Sequence, residues 1–264
     1  MTNQRDINRA DGPPNGDVPP DWYAAAFGEL YPVIYAHRTA ESAAPEAEFA
    51  CAQTGLDARD CALDLCCGTG RHMVHLSRLT AHVAGADYSP ALLRRARVVL
   101  GGEAILVRAD MRRLPFRSQF DVVFNFFTSF GYFADEEDNR RAAREMARVL
   151  KPGGRLFMDY MNAAHDVPRL VAHSERDAGG RRIVERRAYD AVLRRVNKTI
   201  EVLRDGYVEA RLAESVRAYE RNELCALLED AGLRVLQTFG ACDGRVFDAG
   251  APRLILLAAK RRDA

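Results

Sequence analysis

No run of apolar residues approaches the roughly 18 needed to cross a bilayer as a helix, and the N-terminus lacks the apolar core of a secretory signal. A cytoplasmic protein without a membrane partner is expected. Charge of one sign is lacking too: 38 lysines and arginines face 37 aspartates and glutamates, a formal net charge of +1. No overall field then draws the chain to nucleic acid or anionic lipid. Cys-x-x-Cys pairs are missing, and the six cysteines (Cys51, Cys61, Cys66, Cys67, Cys225, Cys242) have no histidines at metal-ligand spacing. Neither a zinc site nor a disulfide framework follows, so reduced, mostly buried thiols and no metal are expected. Internal repeats are absent.

What is present is ordinary globular material: 264 residues, 48% apolar and 28% charged. That length suits one large α/β domain and leaves no room for two with linkers. Residues 1–20 combine proline, glycine, asparagine and aspartate with almost no large apolar side chains, which reads as a disordered tail before a domain over 21–264. From Trp22 to about Gln53, aromatic and aliphatic residues recur at helical spacing, interrupted at Pro32 and near Pro45, so two helices are expected. Five strand-like runs follow at 61–65, 81–86, 104–109, 120–126 and 154–160, alternating with helical stretches at 71–78, 90–100 and 136–150. This alternation implies βαβ units in a parallel sheet with right-handed crossovers. Lys151-Pro152-Gly153-Gly154 reads as a helix stop and turn. An antiparallel insertion over about 176–220 is expected from its β-formers and the hairpin signal Asp205-Gly206. Its arginines interleave with acids, as on a solvated strand surface. A helix ending at Gly232 and two closing strands complete the chain.

The first strand runs into Cys66-Cys67-Gly68-Thr69-Gly70-Arg71-His72, where glycines permit a tight turn and close approach to a nucleotide-like ligand before the next helix. Asp87 lies seventeen positions after Gly70, at the end of the second strand. A carboxylate there can accept two hydrogen bonds from a ribose diol, and Asp87-Tyr88-Ser89-Pro90 also reads as a helix cap. Asp110, after the third strand, is placed to accept from an adenine amino group, or simply to make a turn.

Together, LDLCCGTGRH (63–72), GADYSPALLRRAR (85–97), ADMRRLPF (109–116), FDVVFNFFTSFGYF (120–133) and RVLKPGGRLFMDYMN (148–162) resemble the class I S-adenosylmethionine-dependent methyltransferases. The resemblance covers residues 22–262 and implies a Rossmann-like seven-stranded, mostly parallel sheet with helices on both faces, with S-adenosylmethionine as cofactor. It implies that Asp64 opens the first motif, Gly68 and Gly70 line the methionine part, Asp87 holds the ribose, Asp110 with Met111 brackets adenine, and Tyr88, next to Asp87, also belongs to the cofactor site. Phe126 and Phe127 would sit beside the sulfonium. Cys66 departs from the pattern, which usually has glycine there. A narrower resemblance, to small-molecule methyltransferases, matches Tyr35 and Arg38 in IYAHRTAE; the guanidinium would pair with the methionine carboxylate.

Methyl transfer from a sulfonium is an in-line displacement, in which the protein contributes alignment, exclusion of water and removal of a proton. The resemblance puts Tyr132, and His165 with Asn162, near the acceptor side; a packing tyrosine and a solvated loop histidine are equally consistent, so no general base is assigned. Asn125-Phe126-Phe127-Thr128 lacks the Asn/Asp-Pro-Pro-aromatic tetrad of amide and exocyclic-amine methyltransferases, which disfavours DNA adenine and protein glutamine. SFGYF is similar to the same region of amino-sugar N-methyltransferases, which points to a small amine or hydroxyl acceptor. Three other functions compete. A dinucleotide oxidoreductase would need glycine where Met73 stands. A non-catalytic cofactor-binding regulator is compatible with the motifs. An RNA methyltransferase is disfavoured by the balanced charge. Association into a homodimer is left open.

Overall fold

The computed structural model describes residues 18–262. The expected disordered tail therefore falls, through residue 17, outside the described residues. Three helices open the structure where two were expected: α1 (Trp22–Ala26), α2 (Tyr31–Ile34) and α3 (Ala40–Thr54). Pro32 sits harmlessly in the first turn of α2. Pro45 is carried inside α3, whose ends are fixed by a Thr39–Ser42 capping box and a left-handed Gly55.

The chain then alternates through β1 (Ala62–Leu65), α4 (Met73–Leu76), β2 (Val83–Asp87), α5 (Pro90–Leu100), β3 (Ile105–Arg108), β4 (Phe120–Asn125), α6 (Glu136–Val149) and β5 (Leu150–Met161). The short α7 (Ala163–Asp166) leads into β6 (His173–Ala178), β7 (Arg181–Asp190), β8 (Arg195–Arg204) and β9 (Tyr207–Arg217). α8 (Arg221–Asp230), β10 (Leu233–Phe239) and β11 (Arg253–Lys260) close the fold. α4 is shorter than the sequence suggested. β5 begins earlier, because Lys151–Gly154 forms an irregularity within the strand: the β4 register jumps from Phe120↔Leu150 to Val122↔Arg155.

Seven strands form one sheet in the order β10-β11-β5-β4-β1-β2-β3, with β11 antiparallel to both neighbours and the rest parallel. β1 and β2 are buried at every position, as strands covered by helices on both faces must be. Alternate residues feed two cores. Leu63, Leu65 and Val123 face one, and Ala62, Val122 and Phe124 the other. The insertion is a separate four-stranded antiparallel meander, β6-β7-β8-β9. Its last hairpin turns through Asp205 and Gly206, both left-handed (φ 52° and 83°), as the sequence indicated. Ile183, Ile200 and Val202 of this sheet pack on Ile34 and Tyr35, so the insertion and the N-terminal helices share a small core.

Candidate active site

The sheet order reverses at β1, which pairs with β2 on one side and β4 on the other. Crevices at such switch points, outside the carboxyl ends of the strands, are where open α/β sheets bind ligands. A cleft lies there. Its floor is the turn after β1, through Cys66, Cys67, Gly68 and Thr69; its sides come from Asp87 and Tyr88 after β2, Asp110 and Met111 after β3, and Phe126, Phe127, Ser129, Tyr132 and Phe133 after β4. Tyr23, Phe27, Tyr31 and Arg38 close it from the N-terminal segment.

The floor turns through three left-handed residues, Cys66 (φ 64°), Gly68 (φ 55°) and Gly70 (φ 80°). The position where the family usually has glycine is thus one where a Cβ is strained, and this chain accepts that strain. Gly70 does not line the cleft: a Cβ on it would come within 2.8 Å of Leu100 Cδ1, so its role is close packing of the turn on α5. Gly68 N–H donates to Asp87 Oδ2 (2.8 Å), and Ser89 N–H donates to Oδ1 (2.8 Å). Ser89 in turn caps α5 by accepting from Leu92 N–H. Asp87 therefore ties the floor to the helix start while each oxygen keeps a further lone pair for a diol. Burial raises its pKa and the backbone donors oppose the rise.

Asp110 is held by Arg112, whose Nε and Nη2 reach its carboxylate at 3.0 and 2.6 Å and whose Nη1 continues to Asp138 at 2.7 Å. Tyr88 stands half-exposed at the rim, edge-on to Tyr23 at 5.4 Å between ring centroids. At the opposite end Arg38 stacks on Tyr35 (4.0 Å) and Phe127 (4.3 Å). Among the described residues its guanidinium makes a single hydrogen bond, to Tyr31 Oη at 3.3 Å, and its buried Nε has no partner. Tyr35 lies behind it, outside the cleft wall, with its hydroxyl between Glu214 and Lys198. Asp64 is buried beneath the floor with Oδ2 unpartnered, and burial pushes its pKa up to about 8 against the pull of Arg71.

Phe126 stacks on His72 at 3.9 Å, and His72 Nε2 lies 2.7 Å from Glu46, yet burial lowers its pKa to about 4. Phe127 and Thr128 are both left-handed (φ 54° and 61°), a kink held by Asp159: its Oδ2 accepts from Phe127 N–H and its carbonyl from Thr128 N–H. Tyr132 reaches the cleft, while His165 sits on α7 against Asp166 (2.9 Å) and Asn162 binds the carbonyls of residues 248, 249 and 251; neither lines the cleft. Asn125 spans the Leu65 and Ser129 carbonyls. The sequence reading missed Tyr23, Phe27 and Tyr31, which stand four apart in a segment read only as helical, and Arg71, His72, Ser129 and Phe133. The regular spacing of the three aromatics was the one available signal.

Among the described residues three buried polar atoms lack a partner, Arg38 Nε, Asp64 Oδ2 and Asn125 Oδ1, and of these only Arg38 belongs to a residue that lines the cleft, where its guanidinium can receive a carboxylate. The family profile described as "Methyltransferase domain" matches residues 62–154. A ubiquinone/menaquinone biosynthesis C-methyltransferase of Enterobacter sp. (strain 638) is 33% identical over 198 residues, covering 70% of each chain. This chain belongs to the class I S-adenosylmethionine-dependent methyltransferases. The methyltransferase is also 28% identical over 233 residues to the dTDP-4-amino-2,3,4,6-tetradeoxy-D-glucose N,N-dimethyltransferase of Saccharopolyspora spinosa, covering 84% of this chain and 91% of the relative. Among solved structures it shares its fold with an S-adenosylmethionine-bound amino pentose methyltransferase from Micromonospora echinaspora, with a TM-score of 0.64 at 23% identity, covering 88% of this chain and 96% of that one. The cofactor of this methyltransferase is S-adenosylmethionine. No helix among the described residues is long and apolar enough to cross a membrane.

Proposed function

We propose that this methyltransferase is a cytoplasmic enzyme that methylates an amine of a small molecule, with a nucleotide-linked amino sugar as the favoured class. The observation that carries this reading is the extent of the likeness to the amino-sugar N,N-dimethyltransferase, 91% of that protein's length against 70% for the quinone C-methyltransferase. Such coverage takes in chain well beyond the cofactor motifs, where acceptor pockets are built.

In this reading Asp87 receives the ribose diol, Asp110 and Met111 border adenine with Tyr88 over its face, and Gly68 leaves room for the methionine chain. Gly70 supports that turn from behind. Arg38, braced by Tyr35, takes the carboxylate, and Asp64 lies toward the ammonium. Phe126 flanks the sulfonium, which when bound supplies the electrophilic methyl group. An amine attacks with its own lone pair and releases its proton afterwards, so it needs no base at the moment of transfer. That favours an amine over a hydroxyl here. Burial holds the Tyr132 phenol well above its ordinary pKa, so it keeps its proton and orients the acceptor, and His72 is engaged by Glu46. His165 has no part. Nucleic acid is not required.

The experiment supplies labelled S-adenosylmethionine with a dTDP-amino-deoxysugar, a demethylmenaquinol or bulk RNA. Label on the sugar nitrogen supports the reading; label on the quinol ring or RNA overturns it.

A further inference from the structure

One side chain grips the cleft wall from outside. Arg195, at the start of β8 in the insertion, is 7% exposed, and among the described residues no carboxylate pairs with its guanidinium. It donates instead from Nη1 to the Phe133 carbonyl (2.9 Å) and from Nη2 to the carbonyls of Gly131 (3.1 Å), Tyr132 (3.1 Å) and Ser215 (2.7 Å). Its Nε donates to Ser215 Oγ at 2.7 Å. A cation removed from water without a counter-ion is costly unless its donors are satisfied, and here three consecutive carbonyls of one short strip help to satisfy it.

That strip is part of the cleft, since the side chains of Tyr132 and Phe133 line it. Gly131 is left-handed (φ 78°), its carbonyl also accepts from Arg217 N–H at 2.9 Å, and a Cβ there would lie 2.8 Å from Tyr160 Oη. Trp22, the only tryptophan of the chain, donates from Nε1 to the Tyr132 carbonyl (3.3 Å) and packs edge-on against the Tyr132 ring at 5.1 Å.

We propose that Arg195 is a positioning residue for methyl transfer: its guanidinium, delivered from the insertion, fixes the Gly131–Phe133 strip and through Tyr132 and Phe133 sets the width of the cleft. This rests on the reading that the cleft holds the cofactor and the acceptor. The guanidinium reaches its five oxygens from three nitrogens spread across a plane, a span that the single nitrogen of a lysine ammonium does not reproduce, so lysine is a poor substitute.

The test uses Arg195→Lys and the milder Ser215→Ala, with Trp22 emission as a reporter on the strip and calorimetric binding of S-adenosylhomocysteine as a reporter on the cleft. In folded Arg195→Lys, Trp22 emission moves to the red and the dissociation constant rises about tenfold, with Ser215→Ala between it and the wild type. A folded Arg195→Lys with wild-type emission and wild-type affinity overturns the proposal. Should Arg195→Lys not fold, hydrogen exchange in Ser215→Ala decides: acceleration confined to residues 129–135 supports it, and unchanged exchange rejects it. If the wild type does not bind S-adenosylhomocysteine, the reading of the cleft fails, while Trp22 emission and exchange still judge the fork.

Discussion

Asp87 illustrates how one carboxylate can serve structure and ligand together. Asp87→Ala removes the acceptor for Gly68 and Ser89 N–H as well as for a diol, so S-adenosylhomocysteine binding is expected to weaken by about 1–3 kcal/mol, measured by calorimetry. Unchanged affinity in a folded variant would remove Asp87 from the ribose site. Asp64 and His72 make a second expectation, in pH dependence. His72, lowered from 6.5 to about 4, contributes stability that is present above its unfolded pKa and lost as pH falls through about 4. Asp64, raised from 3.8 to about 8, contributes stability that is full below its unfolded pKa and lost as pH rises through about 8. The two oppose each other below pH 6.5, and from there to pH 8 Asp64 acts without His72. Urea unfolding should therefore show the ligand-free enzyme losing stability between pH 6.5 and 8, and Asp64→Asn should flatten that decline. A decline of equal slope in the variant would assign it to another group. These residues were legible because their motifs are local: Asp64, Gly68, Gly70 and Asp87 fall within one βαβ unit. Tyr35 was legible only as a partner of Arg38, since the Glu214 and Lys198 that draw its hydroxyl away lie more than 160 positions along the chain.

At the scale of elements, the turn after β1 and the helix α5 depend on each other. Gly70→Ala places a Cβ at a positive φ and against Leu100 and Ala96 of α5, so it should cost about 1–3 kcal/mol of stability in denaturant melts and loosen the floor of the cleft. Cys66→Gly acts in the opposite sense: it relieves the left-handed strain at φ 64° and should be neutral to stabilising, despite the small loss of the Cys66 side chain. A marked loss of stability in Cys66→Gly would show that the thiol's packing, 3.8 Å from the Ser129 carbonyl, matters more than its backbone conformation. The alternation of strands and helices was readable because apolar period and turn residues are local quantities. Element edges were less so. Pro45 is tolerated because strong caps hold both ends of α3, and Lys151–Gly154 joins β5 because pairing with β4 absorbs the extra residues.

For the molecule as a whole, the cofactor motifs occupy one half of the chain while the cleft is closed by the other parts. Tyr23, Phe27 and Tyr31 reach over it from the N-terminus, and the β6–β9 sheet holds those helices down through Ile183, Ile200 and Val202 against Ile34 and Tyr35. None of this coupling is visible in periodicity, because the contacts join segments some 150 residues apart. It has a thermodynamic consequence. If the insertion were an independent cover, Ile200→Ala would soften it alone and leave cofactor binding intact. Because the small core anchors α2 beside Arg38, the truncation should instead cost about 2–4 kcal/mol in one cooperative transition and weaken S-adenosylhomocysteine binding as well, although Ile200 is not part of the cleft wall. Calorimetry with and without the ligand separates the two cases: a single melting transition whose ligand-induced shift shrinks in Ile200→Ala supports a shared unit, and two transitions with an unchanged ligand shift would make the insertion an appendage.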